Sequence, residues 1–136
     1  INNIILYAYT DAGFSSPVGS ASSGQLNGTA ASASSATKIT TTNVSGGVLQ
    51  VAAGQTVYFE LRANVTGAVS GSSVTTMLLG DSSFATHAAT SSVNSSSNFV
   101  WSPNSTSTAS NGANDFTSGY GVPGLPASGL SQTRSQ

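Results

Sequence analysis

Apolar and polar residues alternate along the stretch from Val57 to Thr66. The apolar positions are Val57, Phe59, Leu61, Ala63 and Val65, and the polar positions are Tyr58, Glu60, Arg62, Asn64 and Thr66. A period of two places successive side chains on opposite faces of a β-strand. The pattern therefore predicts a strand with one apolar face toward the core and one solvated face.

Two further apolar runs flank this strand. Residues 48–51 come before it, ahead of a turn at 53–55, and residues 74–79 follow a connection of small residues at 67–72. Apolar runs separated by turn residues are typical of adjacent strands. We expect the three runs to form the core of the sheet. On the polar face, Glu60 and Arg62 are two apart, which predicts a solvated ion pair that contributes little to stability.

The remaining strands are shorter. Residues 4–9 carry apolar side chains on both faces, which indicates either an internal strand or a strand that completes the sheet of a neighbouring subunit. Residues 38–42 and 98–101 also have strand-like composition. Leu26 and Phe84 are expected to anchor the Ser-, Ala- and Gly-rich loops on the core.

No stretch has a sustained apolar period of 3.6 residues, so no long helix is expected. Several short strands with Gly-rich connections predict an all-β fold, an antiparallel Ig-like β-sandwich with long Ser/Thr/Gly-rich loops. We expect a single sandwich domain over residues 1–126. Residues 127–136 are predicted to be a flexible C-terminal tail, which continues an extended segment rich in Gly and Pro.

The composition narrows the classes of function. Charged residues make up 5% of the 136-residue chain, its formal net charge is −1, and 38% of its residues are hydrophobic. Disordered chains usually combine low hydrophobicity with high net charge, so we expect a folded domain. The basic residues Lys38, Arg62 and Arg134 are far apart, which argues against binding to nucleic acid or to an anionic membrane. The chain contains no apolar run of about 18 residues, so no membrane-spanning helix is predicted.

Catalytic chemistry has few candidate residues. The titratable candidates are Asp11, Glu60, Asp81, Asp115 and His87. The aspartates lie in turns, where Asp is favoured for its hydrogen bonds to the backbone. His87 has no carboxylate near it in sequence, and no G-x-S-x-G motif is present for a serine nucleophile. We therefore predict that the protein is not an enzyme and has no catalytic residues.

No cofactor or metal is expected. The chain lacks Cys and has one His, so a zinc site of the Cys/His type is excluded. Asn111, Asn114 and Asp115 bring oxygen ligands together for calcium, but the loop lacks the several carboxylates of a strong site.

Two kinds of surface chemistry remain open. N-x-[ST] sequons make five asparagines possible glycosylation sites: Asn27, Asn43, Asn64, Asn94 and Asn104. Several such matches arise by chance in a chain so rich in Asn, Ser and Thr. Trp101 and Tyr120 are possible stacking residues for a sugar ligand, although aromatic residues that anchor long loops to the core would have the same pattern.

The chain also resembles a known family in two places. Residues 48–65 are similar to a hairpin of the Ig-like domains that repeat in large bacterial surface proteins. Residues 99–102 (FVWS), 115–120 (DFTSGY) and 124–126 (GLP) resemble the C-terminal signature of surface proteins of Parcubacteria-type candidate-phylum bacteria. That signature reads F-x-W-S, D-W-T-N-G-Y and G-L-P, so Phe116 and Ser118 depart from it. The resemblance covers about residues 48–130, and it implies a surface-layer, adhesin or filament component with no catalytic residues to carry over.

These observations lead to a first hypothesis of function. We expect a structural, self-assembling subunit of a cell-surface layer or extracellular filament, with copies of itself as partners and strand or tail exchange, or edge pairing, as the link. Low charge removes repulsion between copies, and apolar edges can then pair. The expected interface residues are Ile4, Leu6, Tyr7, Val122 and Leu125.

The second hypothesis is an adhesin or carbohydrate-binding module that contacts surface glycans. A phage or viral decoration protein has a similar composition. The expected location is extracellular or at the cell surface, where modification of the sequons or of the Ser/Thr loops would make the protein a glycoprotein. The chain begins within a predicted strand, which suggests a mature or fragmentary N-terminus.

Overall fold

A computed structural model describes residues 1–18, 23–27, 30–33, 49–84, 86–87, 97–102 and 116–136. Its strands are β1 (Asn2–Tyr9), β2 (Tyr58–Asn64), β3 (Ser73–Leu78), β4 (Thr86–His87), β5 (Val100–Trp101), β6 (Phe116–Ser118) and β7 (Leu130–Ser135). These ranges contain no helix, and every strand pair in them is antiparallel. The prediction of an all-β antiparallel fold is therefore confirmed.

The chain divides into two units, residues 1–67 and 68–136. The sequence predicts instead a single domain over 1–126 followed by a tail. In the first unit β1 pairs with β2. The second unit holds a two-stranded sheet, β3–β7, and a three-stranded sheet in the order β4-β6-β5. Each unit thus has its own sheets.

Strand β1 is an internal strand of the first unit. On one edge it pairs with β2, with Tyr7 opposite Glu60. On its other edge it forms isolated bridges with Pro17, Gln25 and Ala31. Of the two hypotheses for this strand, the internal one agrees with the structure.

The core of the first unit forms around β1. Its buried apolar side chains are Ile4, Ala8, Tyr9 and Leu26. Leu26 is buried as expected, and its N–H donates to the Leu6 carbonyl at 2.8 Å. Tyr9 lies on the other face of β1 from Ile4 and Ala8. Its ring stacks near the ring of Tyr7, with the ring centroids 6.4 Å apart. A segment of small residues is thus held against β1 by backbone hydrogen bonds and one apolar anchor.

The second unit is held by close backbone contacts and a small apolar core. Among its described residues, Leu125 is the buried hydrophobic one, and Gly80, Ser118 and Gly119 are also buried. A Cβ atom at Gly80 would overlap the carbonyl oxygen of Pro126, so only glycine fits there. The backbone at Pro126 therefore packs closely against Gly80, just after β3.

Several predicted features differ from the structure. Residues 49–51 are not in a strand, and β2 and β3 do not pair with each other. Residues 130–135, placed in a flexible tail by the sequence, form β7 and pair with β3. Phe84, expected to pack on the core, is 65% exposed. The predicted strand at 38–42 lies outside the described residues, and the strand predicted at 98–101 is shortened to β5.

Candidate functional site

The apolar face of β2 lies open to solvent. Phe59 is 51% exposed, Leu61 46% and Val65 49%, although the alternation of the sequence predicts that this face is buried. Leu61 lies opposite Leu6, and Phe59 opposite the buried Ala8. The apolar face of the sheet is therefore covered along β1 and uncovered along β2.

The backbone groups of β2 divide between two edges of the strand. Ile4, Leu6 and Ala8 of β1 direct their N–H and C=O groups away from β2, and these groups hydrogen-bond to residues 18, 24, 26, 27 and 31. In an antiparallel strand these groups alternate between the two edges, so Ile5, Tyr7 and Tyr9 bond to β2. Their partners on β2 are Arg62, Glu60 and Tyr58.

It follows that Phe59, Leu61 and Ala63 point their backbone groups away from β1. We call these outward groups the β2 edge. Within the ranges that the structure describes, no strand pairs with this edge. An edge of this kind, with an apolar face beside it, is a template for another chain.

The other face of β2 carries a charged and aromatic cluster. The Nη2 atom of Arg62 donates to the Oε2 atom of Glu60 at 2.7 Å and to the Tyr9 hydroxyl at 3.3 Å. The guanidinium lies over the ring of Tyr7, 4.7 Å from its centroid. The hydrogen bond from Arg62 lowers the pKa of Glu60, and the same bond raises the pKa of Arg62. The predicted ion pair is thus present, and its guanidinium lies toward β1, over Tyr7.

The β3–β7 sheet is a second exposed surface, within the second unit. Leu78 lies opposite Leu130, and these side chains are 51% and 50% exposed. The hydroxyls of Thr75 and Thr133 are 2.8 Å apart across the pair. A two-stranded sheet has marginal stability by itself in water, so added strands would stabilise it. No third strand joins it among the described residues.

The predicted interface residues lie elsewhere. Ile4 is 6% exposed and Leu125 9%, so both side chains pack inside their own units. Leu6, Tyr7 and Val122 are half-buried. Strand β1 is also paired on both edges within its own chain. The structure therefore does not present these five residues as an open surface, because β1 and the residues around Leu125 supply the cores.

Two of the predicted glycosylation sites lie in the described part of the chain. Asn27 is 6% exposed, its Oδ1 atom accepts the N–H of Leu6 at 2.7 Å, and its Nδ2 atom donates to the Ile4 carbonyl at 3.0 Å. In the folded unit this amide nitrogen is engaged with β1 and is not presented to a sugar. Asn64, at the end of β2, is exposed. Asn43, Asn94 and Asn104 lie outside the described residues.

The two possible stacking residues are partly exposed. Trp101 is 39% exposed and its Nε1 atom donates to the Ser118 carbonyl at 3.1 Å, while Tyr120 is 54% exposed. The ring contacts found in the described ranges involve Tyr7, Tyr9 and Phe14, and none joins Trp101 to Tyr120. Trp101 is thus fixed on β6 through its indole nitrogen.

Asp81 has a structural role that the sequence does not reveal. Its carboxylate accepts the N–H groups of Asn98 at 2.7 Å, Phe99 at 3.1 Å and Gly119 at 2.8 Å, and it is 8% exposed. The Asn98 side chain in turn donates to the Gly80 carbonyl at 2.9 Å. The one signal in the sequence is the presence of a carboxylate in a chain so poor in charge. Asp81 thus ties two other segments of the second unit, residues 98–99 and Gly119, to its own through their backbone N–H groups.

The other candidates for chemistry are scattered. Asp11 accepts backbone hydrogen bonds within its own turn, and Asp115 lies outside the described residues. Across the described ranges, no three His, Cys, Asp or Glu side chains come together in a way that could hold a metal ion. In the same ranges, no helix has the length and apolar character needed to cross a membrane.

Comparison with protein-family models, with curated proteins and with solved structures finds no match to this chain.

Proposed function

We propose that this protein is a structural subunit of an extracellular assembly, a surface layer or a filament, in which copies of the chain join by pairing their strand edges. One observation carries the proposal: the β2 edge has no partner strand in the described part of the chain, and Phe59 and Leu61 beside it are about half exposed. Monomeric proteins usually protect such edges with charges, prolines or short strands.

The charge of the chain supports the same function. With three basic and four acidic residues, copies of the chain repel each other little at neutral pH. The two charged residues on β2 pair with each other and leave no net charge on the strand. The usual electrostatic protection against edge pairing is therefore absent from β2.

We propose further that the fold is an Ig-like sandwich and that the protein is extracellular. The motifs FVWS, DFTSGY and GLP resemble those of bacterial cell-surface proteins with Ig-like domains, which supports an Ig-like sandwich and an extracellular location. In such a setting, a β-domain can join its neighbours through backbone hydrogen bonds between strand edges.

The proposal is tested by the association state of the full chain. Leu61→Lys places a charge beside the β2 edge and should lower the mass measured by light scattering. Val69→Lys is the matched control, because Val69 is 67% exposed and lies outside every strand. An unmodified chain that associates, and a Leu61→Lys variant that associates less than Val69→Lys, are the expected results. An unmodified chain that stays monomeric at every concentration contradicts the proposal.

A further inference from the structure

The β2 edge has a sequence that is complementary to itself. Leu61 lies between Glu60 and Arg62, and its backbone N–H and C=O point outward with those of Phe59 and Ala63. When two antiparallel copies of a strand pair about a two-fold axis, the residue on the axis faces itself, and the residue before it faces the residue after it on the other copy. A pair centred on Leu61 therefore sets Glu60 opposite Arg62.

We propose that the β2 edge pairs with the β2 edge of a second copy of this chain, antiparallel and in the register centred on Leu61. This inference rests on the proposed function, and it names the surface and the register by which two subunits of the assembly first join. Leu61 then faces Leu61 of the second copy, and Phe59 faces Ala63. Each outward N–H and C=O of these residues gains a backbone partner.

The charges select this register over its neighbours. A pair centred on Glu60 would set two carboxylates opposite each other, and a pair centred on Arg62 would do the same with two guanidinium groups. Like charges directly opposite each other destabilise an antiparallel pair, and opposite charges stabilise it. The Leu61 register gives two Glu–Arg pairs, related by the two-fold axis, beside the Glu60–Arg62 pair within each chain.

The apolar face completes the contact. Phe59 and Leu61, which are 51% and 46% exposed, lie on the same face as Ala63. In the proposed pair this row continues across both copies, so a short exposed strip becomes the centre of a four-stranded sheet. The occupant is a second copy because one strand supplies both the charges and their complements. A two-fold pair of this kind closes on itself, so growth beyond a dimer requires another contact.

The chain has no cysteine, which allows a direct test of the register by disulfide cross-linking. Opposite residues in a hydrogen-bonded antiparallel pair have Cα atoms about 5.5 Å apart, within the range that a disulfide spans. Leu61→Cys should therefore give a cross-linked species of twice the 13.4 kDa chain mass under mild oxidation. Phe59→Cys is the matched control on the same face of the same strand, because its two copies would lie about 13 Å apart along the pair.

A second experiment separates the contact between copies from the ion pair within each chain. Glu60→Arg alone and Arg62→Glu alone each set like charges opposite each other, so each variant should lose its dimer. Both variants also lose the internal pair. When the two variants are mixed, the two arginines on β2 of one chain face the two glutamates on β2 of the other. The mixture should recover the dimer, which a loss of internal stability cannot explain.

The outcomes distinguish this inference from the proposed function. Cross-linking of Leu61→Cys well above Phe59→Cys, with recovery of the dimer on mixing, supports the β2 register. Equal cross-linking of the two cysteine variants, or a mixture that stays monomeric, overturns it. If the register is overturned while the unmodified chain still forms large assemblies, the proposed function stands and its first contact lies elsewhere. If the β2 dimer forms and nothing larger appears in any condition, the register stands and the assembly function fails.

Discussion

The guanidinium of Arg62 lies over the ring of Tyr7, 4.7 Å from its centroid, on the face of β2 that the sequence predicts to be solvated. Cation–π contact and the hydrogen bond to Glu60 hold that face together without burying it. The apolar face of the same strand, which the sequence predicts to be buried, is open to solvent as well. This exposed apolar face is the reason to place the assembly surface on β2.

Asn27 should matter for stability far more than its place in a Ser- and Gly-rich loop indicates. Its amide bonds the N–H of Leu6 and the carbonyl of Ile4 while it is buried. Replacing it by alanine leaves the partly buried N–H of Leu6 without its partner and removes one of the two hydrogen bonds to the Ile4 carbonyl, which also accepts the N–H of Ala31. The free energy of unfolding should fall by about 1–3 kcal/mol. Chemical denaturation measures this loss. Asn64→Ala, at an exposed sequon, is the control and should change stability little.

Asp81 should hold the second unit together through its three backbone bonds. Asp81→Asn keeps the size of the side chain but removes the charge and places an N–H donor among the backbone donors. A loss of about 2–3 kcal/mol is expected, since hydrogen bonds to charged groups are stronger than neutral ones. Hydrogen exchange should show faster exchange at the amides of Asn98, Phe99 and Gly119. Unchanged protection of these amides would contradict the role, and Ser82→Ala, at an exposed neighbour, is the control.

Acid should destabilise the first unit through Asp11. The N–H of Ser16 is the main cause that holds the pKa of Asp11 below its ordinary value of 3.8, with further bonds from Ser15 and Gly13. Because the pKa is lower in the folded chain, the stabilisation is fully present above 3.8 and is lost as the pH falls through the folded value. Denaturation at a series of pH values measures it. Asp11→Asn should flatten the dependence of the free energy of unfolding on pH in this range. An unchanged dependence would contradict a stabilising role for the Asp11 carboxylate in its turn.

Removal of β1 should unfold the first unit. The strand pairs with β2 on one edge and bridges to residues 17–31 on the other, so a chain lacking residues 1–9 loses both sets of contacts. Amide protection in β2, which loses its partner strand, should disappear, as judged by hydrogen exchange. Removing residues 130–136 is the comparison, and it should leave the amides of β2 protected. A truncated chain that keeps a protected β2 would show that β1 is dispensable.

The sequence predicts individual strands better than their partners. The alternation at Val57 to Thr66 and the apolar runs at 4–9 and 74–79 correspond to β2, β1 and β3. Such patterns are local. Pairing is not local, because β2 finds its partner at the start of the chain and β3 finds its partner at the end. Strand β7 reads LSQTRS and has no apolar alternation, so nothing in its own residues separates it from a flexible tail.

The candidate site is only partly predictable for a related reason. Alternation identifies the apolar face that holds Phe59 and Leu61, but it does not show whether another layer covers that face. The burial of Ile4 and Leu125 depends on neighbours that are distant in sequence, so apolar character near the chain ends is a poor guide to an interface. The roles of Asn27 and Asp81 depend on backbone groups, which leave no mark in the sequence.

Assembly of the chain is tested most directly by negative-stain electron microscopy of the unmodified full chain over a range of concentrations. An assembly subunit should form ordered filaments or lattices that build up as the concentration rises. These should be lost in Leu61→Lys and retained in Val69→Lys. Dispersed particles of the single 13.4 kDa chain at every concentration would contradict the claim that this protein is an assembly subunit.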